Sequence, residues 1–121
     1  MKFDFDNERP IYVQLVEQLR IGILTSQFGV GEKIPSVRDL AMLAKVNPNT
    51  MQKALQELED LKLIYTERTN GKYVTDDEEL ISIFKKEHAL ELSNKYFFGM
   101  ENIGFNRDDV IEYLKCLGGD K

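Results

Sequence analysis

The sequence predicts a mainly α-helical chain with one small β-hairpin, ordered helix, helix, helix, strand, strand, helix, helix. Three observations carry that prediction. Apolar residues recur at helical spacing from Tyr12 to Ile23 and again from Met51 to Leu58. Two short β-prone runs flank Asn70-Gly71, a hairpin turn signal. Beyond the hairpin, a long amphipathic stretch and a shorter one are separated by a glycine-containing break between Gly99 and Phe105.

Each element has its own start and stop. Pro10 suits the first position of a helix, and Tyr12, Leu15, Val16, Leu19 and Ile23 form its buried stripe. Gly29 and Gly31 are expected to end it near Phe28. Ser36 caps a short second helix, about 37–44, with Asp39 in its first turn where a carboxylate suits the helix dipole. Asn47 and Pro48 are a good cap and first residue for a third helix, about 48–61, with Met51, Ala54, Leu55 and Leu58 on its apolar face. Leu63-Ile64-Tyr65-Thr66 and Tyr73-Val74-Thr75 read as the hairpin strands. Asp76 to Glu79 are acids at the start of a long helix, about 78–98. Asn106, with Asp109 three residues on, starts a last helix through Leu117, stopped by Gly118 and Gly119. A short helix, a tight turn, a third helix and then a hairpin describe a winged helix-turn-helix. The expected domains are therefore 1–76, a winged helix-turn-helix, and 77–121, a two-helix tail.

Composition narrows the class. Of 121 residues, 42% are hydrophobic and 31% charged, ordinary for a globular chain. No apolar run approaches the roughly 20 residues of a membrane span. The N-terminus carries Asp4 and Asp6 where a secretory signal would be basic and then apolar. Cys116 is the single cysteine, so no internal disulfide forms, and a cytoplasmic location is expected. Net charge is −5, but it is unevenly placed. Residues 1–75 hold 10 basic and 10 acidic residues, whereas 76–121 hold 6 and 11. Between 33 and 56, Lys33, Arg38, Lys45 and Lys53 face only Asp39. Local positive potential of this kind permits nucleic-acid binding in an acidic protein.

The third helix turns Asn49, Gln52, Lys53 and Gln56 away from its apolar face, with no acid among them. Asn and Gln can bond adenine bidentately in a major groove, and Lys can meet guanine or a phosphate. The same face would also suit plain solvation. Glu57, Glu59 and Asp60 come only at the far end of the helix.

Residues 10–75 resemble the GntR family of bacterial regulators. The resemblance rests on Pro10-Ile11-Tyr12-Val13-Gln14, on Gly31 through Ala41, on Val46 through Leu55 and on Leu58-Glu59-Asp60-Leu61, four stretches in the family's order. It implies a sequence-specific DNA-binding transcriptional regulator and no enzymatic activity. The arginine of the family's Pro-Ser-x-Arg stretch is Arg38 here, implied to bind the DNA backbone or a base edge; the alternative is a surface salt bridge with Asp39 or Glu32. Asn47, Asn49, Thr50, Gln52 and Lys53 are implied to line the recognition helix. Ser36 is a cap that can add a phosphate contact. Two departures stand out. Arginines that some members carry on this helix are replaced by Pro48 and Gln52, and the Gly-x-Gly of many wing tips is Thr69-Asn70-Gly71. Arg68 and Lys72 flank that tip, positioned either to hold phosphates or only to solvate a hairpin.

The tail resembles that of the YtrA-like subfamily, which implies dimerisation and, by the company such regulators keep, a transporter-type operon. The residues support a dimer independently. Ile83, Leu90 and Phe97 stand seven apart and form a seam separate from that of Leu80, Phe84 and His88. The last helix offers Val110, Ile111, Tyr113, Leu114 and Leu117. A homodimer would present two recognition helices to double-stranded DNA at a twofold-symmetric operator. Repression would follow from covering promoter DNA. An unidentified small-molecule effector would act by binding one dimer geometry better than another. With one histidine, His88, and one cysteine, no internal zinc site of the usual kind can form, and no cofactor is expected. The competing reading is a winged-helix protein-interaction module, since fold alone does not fix function.

Overall fold

The computed structural model describes residues 1–118. Its elements are α1 (Ile11–Leu24), α2 (Val37–Ala44), α3 (Pro48–Asp60), β1 (Ile64–Glu67), β2 (Gly71–Val74), α4 (Glu78–Asn102) and α5 (Arg107–Gly118). The order is the one predicted; Gly119, expected to help stop the last helix, lies outside the described residues. The chain divides into two compact units, 1–83 and from Phe84 onward. The division falls after the first turns of α4, where Leu80 and Ile81 are half-buried. Among the described residues no helix is long and apolar enough to cross a membrane.

In the first unit α3 is the hub, packing on α1, α2 and β1. Leu15, Leu19 and Ile23 of α1, Leu40 and Ala41 of α2, and Met51, Ala54, Leu55 and Leu58 of α3 are all buried. Leu63, Ile64 and Val74 seal the hairpin end. Burying each large aliphatic side chain contributes about 1.5–3 kcal/mol, so the apolar stripe of α3 alone fixes which face is left outward.

The turns show where local chemistry departs from the expected stops. α1 ends four residues before Phe28. Ser26 takes a left-handed backbone, φ 63°, and the Phe28 N–H donates to the Gly22 carbonyl at 3.0 Å. A Cβ at Gly22 would lie 3.0 Å from the Phe28 ring, so glycine lets that ring close over the helix. α2 ends on Lys45, also left-handed, with the Val46 N–H donating back to Ala41. α3 ends in the same way through Lys62, φ 70°, with the Leu63 N–H donating to Leu58. Such closures usually use glycine.

The hairpin is antiparallel, pairing Ile64 with Val74, Tyr65 with Tyr73, Thr66 with Lys72 and Glu67 with Gly71. Its loop is therefore three residues, Arg68-Thr69-Asn70, with Gly71 already in β2. Gly71 supplies φ +111° as the first residue of β2. A third extended run was not foreseen. The Ile34 N–H donates to Lys72 at 3.0 Å and the Val74 N–H to Glu32 at 2.9 Å, so 32–34 lines the free edge of β2. Edge cover of this kind blunts a two-stranded sheet that would otherwise expose its backbone.

In the tail unit, α4 runs straight through Gly99. The break comes at Gly104, φ +98°. α5 then starts with a reciprocal cap: Asn106 Oδ1 accepts from the Asp109 N–H at 2.9 Å, and Asp109 Oδ2 accepts from the Asn106 N–H at 3.0 Å. Phe105 and Tyr113 pack edge to face, and Arg107 lies 5.0 Å over the Phe97 ring.

Candidate nucleic-acid interface

α2, the tight turn Lys45-Val46-Asn47 and α3 form the helix-turn-helix. Ser36 Oγ accepts from the Asp39 N–H at 3.1 Å, and Asn47 Oδ1 accepts from the Asn49 N–H at 2.7 Å. Both capping residues are exposed, and both use a side-chain oxygen that sequence reasoning also placed at DNA. Pro48 sits at the first helical position of α3, where its missing N–H is no loss.

The outward face of α3 carries Asn49, Gln52, Lys53 and Gln56, all exposed, with Thr50 half-buried at its edge. Gln56 donates to Asp60 on its own helix at 3.0 Å. Arg38 is exposed on α2 and forms no ion pair among the described residues, with Asp39, Glu32 or any other acid. Its guanidinium is therefore not engaged in the surface salt bridge considered as its alternative role.

A groove of about 750 Å³ runs between the start of α2 and the wing. It brings together Ser36, Arg68, Asn70, Gly71 and Lys72. Lys33, counted in the local basic excess but not placed at the wing by the sequence, lines it too. A Cβ at Gly71 would come 3.0 Å from Lys33 Cε. Glycine there both permits the turn and lets the Lys33 stem lie across the wing. Asp39 and Glu67 also line the groove, so it is not uniformly basic.

Lys72 is not a free cation. Its ammonium donates to Glu59 at 3.2 Å and to the Thr66 hydroxyl at 3.0 Å, and its side chain is 17% exposed. Pairing spends the charge that the wing was expected to offer from this side, leaving Arg68, exposed in the loop, as the cation at the tip.

This arrangement has a counterpart among known proteins. The family model described as bacterial regulatory proteins, gntR family, matches residues 11–74. The chain belongs to the GntR family. It is 31% identical to the HTH-type transcriptional repressor YtrA of Bacillus subtilis (strain 168), over 99% of this chain and 93% of that protein. A GntR family transcriptional regulator from Listeria monocytogenes superposes with a TM-score of 0.86 at 38% identity, covering 92% of this chain and 97% of that one. The DNA-binding domain of AraR, solved in complex with operator ORE1, superposes with a TM-score of 0.53 at 25% identity, covering 62% of this chain and 94% of that one. This GntR protein is thus a transcriptional regulator with a DNA-binding helix-turn-helix, in a class that is not enzymatic.

The tail residues expected at a dimer seam divide into three groups. Ile83, Leu90 and Leu114 are 47%, 62% and 45% exposed in the single chain. Phe97 is half-buried beneath Arg107. Val110 is fully buried within its own chain, so no surface of it is left for a partner. Leu117, also offered by the last helix, is 63% exposed, and Phe98 and Ile103, which had not been singled out, are 65% and 70% exposed.

Proposed function

We propose that this GntR regulator is a cytoplasmic homodimeric repressor that reads a twofold-symmetric operator in double-stranded DNA. The supporting observation is the outward face of α3: Asn49, Gln52 and Lys53 exposed side by side, free of acids, on a helix whose opposite face is locked into the core. Asn and Gln supply base-edge recognition, and Lys53 a base or phosphate contact. Arg38, with its uncommitted guanidinium, holds the backbone beside them. Ser36, Asn47 and Thr50 frame the helix start, and Arg68, Asn70 and Gly71 bring the wing to the adjacent phosphates, with Lys33 beside them. The operator complex of AraR supports DNA as the partner.

The exposed apolar residues of the tail support the dimer. Leu90, Phe98, Ile103 and Leu117 are each more than half exposed in the single chain, apolar surface of the kind that suits an interaction site. A second copy would cover them through Ile83, Leu90, Phe97 and Leu114. Likeness to the YtrA repressor supports repression; a transporter-type operon as target and a small-molecule effector that shifts dimer geometry complete the proposal.

Binding of a labelled duplex from upstream of the protein's own gene, against random duplex competitor at several salt concentrations, tests this reading. Preference for the upstream duplex that persists at moderate salt is expected. Absence of binding to either duplex at low salt would favour the protein-interaction module instead, because phosphate contacts are strongest there.

A further inference from the structure

We infer that Glu59 is a positioning residue that sets the wing against the recognition helix, and that Lys72 is consumed in this contact, leaving Arg68 and Lys33 as the wing's cations. The inference rests on the DNA-binding reading above. Side chains alternate along a strand, so Thr66 and Lys72 share the hairpin face of Ile64 and Val74, the face that packs towards α3. They are direct cross-strand partners. The Thr66 hydroxyl donates to both Glu59 carboxylate oxygens at 3.0 Å, and Lys72 donates to Glu59 Oε1 at 3.2 Å and to Thr66 Oγ1 at 3.0 Å. Each of α3, β1 and β2 contributes one member of this closed ring. Any tilt of the hairpin away from α3 breaks at least two of its bonds.

An isolated surface ion pair would have little effect on geometry. This one is 17% and 28% exposed at its two side chains and is completed by a hydroxyl, so it is not of that kind. The two roles also differ in sign. Glu59 is an acid on the helix that approaches DNA. As a bare charge it can only repel phosphates, and removing it would strengthen binding to every duplex alike. As a tether it fixes where Arg68 and Lys33 meet the backbone, and removing it would cost discrimination.

The test uses the full chain, with Glu59→Ala, Thr66→Val and Thr66→Ser. The probes are a duplex selected by the unaltered protein from a random library and an unselected duplex from that library. Glu59→Ala is expected to bind the unselected duplex more tightly, with a salt slope steeper by about one counterion as Lys72 is freed, while preference for the selected duplex falls about tenfold. Thr66→Val changes no charge, so preference should fall with the slope unchanged, and Thr66→Ser should restore it. Without DNA, amide exchange across β1 and β2 should quicken in Glu59→Ala while α1 amides are unaffected. Unaltered preference in both Glu59→Ala and Thr66→Val, or unaltered hairpin exchange, would overturn the inference. If the unaltered protein selects no duplex at all, the DNA reading fails, and the exchange measurement still decides whether the tether exists.

Discussion

The Tyr12 hydroxyl donates a 2.6 Å hydrogen bond to Glu57, joining α1 to α3 across 45 positions of sequence. Tyr12 lies at the edge of the α1 stripe, and its ring is half-buried. The bond to Glu57 is the largest cause raising the phenol above its ordinary value of 10.0, followed by burial and by the charges of Glu57 and Asp60. Hydrogen bonds to charged groups contribute about 1.5–3 kcal/mol when well shielded; here the site is partly wet and about 1 kcal/mol is expected on that scale. Tyr12→Phe should lower the urea midpoint accordingly at pH 7. The pH dependence has a definite sign. A group whose folded pKa is raised keeps its proton in the native state after the unfolded chain has lost it, so its contribution is full below pH 10 and declines above it. The alkaline loss of stability should therefore be shallower in Tyr12→Phe than in the unaltered protein.

Gln14 is 1% exposed, the only fully buried amide side chain among the described residues. Its Nε2 donates to the carbonyls of Asp6 and Arg9 at 3.1 and 2.7 Å, and its Oε1 accepts from the Asp6 N–H at 2.9 Å. Gln18 repeats the pattern with Asp4, so two glutamines on successive turns hold the N-terminal arm on α1 as an edge strand would. Gln14→Leu strips part-buried backbone groups of their partners, a loss of about 1 kcal/mol. Limited proteolysis should then cut the arm within residues 3–9 before the rest of the chain is attacked.

Lys62 closes α3 with φ 70°, a conformation costing an L-residue about 1–2 kcal/mol. Glycine carries no such cost but loses more entropy on ordering. Lys62→Gly should raise thermal stability by a few tenths to about 1 kcal/mol, read as a higher Tm with unchanged circular dichroism.

Leu90 stands 62% exposed midway along α4. Leu90→Glu places a charge on the surface proposed for self-association. Sedimentation should show a dimer for the unaltered chain and a monomer for this variant. DNA affinity would drop steeply, because the second half-site would no longer be bound within one complex. A monomeric unaltered chain would remove the proposed interface.

The helical part of the fold was legible because its helices announce themselves by an apolar period and, at α2, α3 and α5, by a side-chain cap as well. Ser36 and Asn47 cap where their spacing placed them, and the Asn106–Asp109 pair closes both its bonds. The ends were less legible. Ser26, Lys45 and Lys62 turn left-handed without glycine, since backbone hydrogen bonding overrides local preference there. Gly99 failed to stop α4, because a single glycine costs only about 1 kcal/mol in a helix. At the interface, residues whose role follows from exposure and residue type were readable: Arg38, Gln52 and Lys53. Lys72 was not, because its partner Glu59 lies thirteen residues away and becomes a neighbour only when the hairpin folds onto α3. Lys33 was legible as part of a local basic excess but not as a neighbour of the wing: only the edge pairing of 32–34 with β2 brings it over Gly71.

The central claim is that Arg38 and the face of α3 form a DNA-reading surface, and Arg38→Ala tests it most directly. Binding of this variant and of the unaltered protein should be measured across a salt series on selected and random duplexes. Loss of one phosphate contact predicts affinity lower by about tenfold on both duplexes, a salt slope shallower by about one, and an unchanged sedimentation profile. Unaltered affinity and slope on both duplexes would contradict the account.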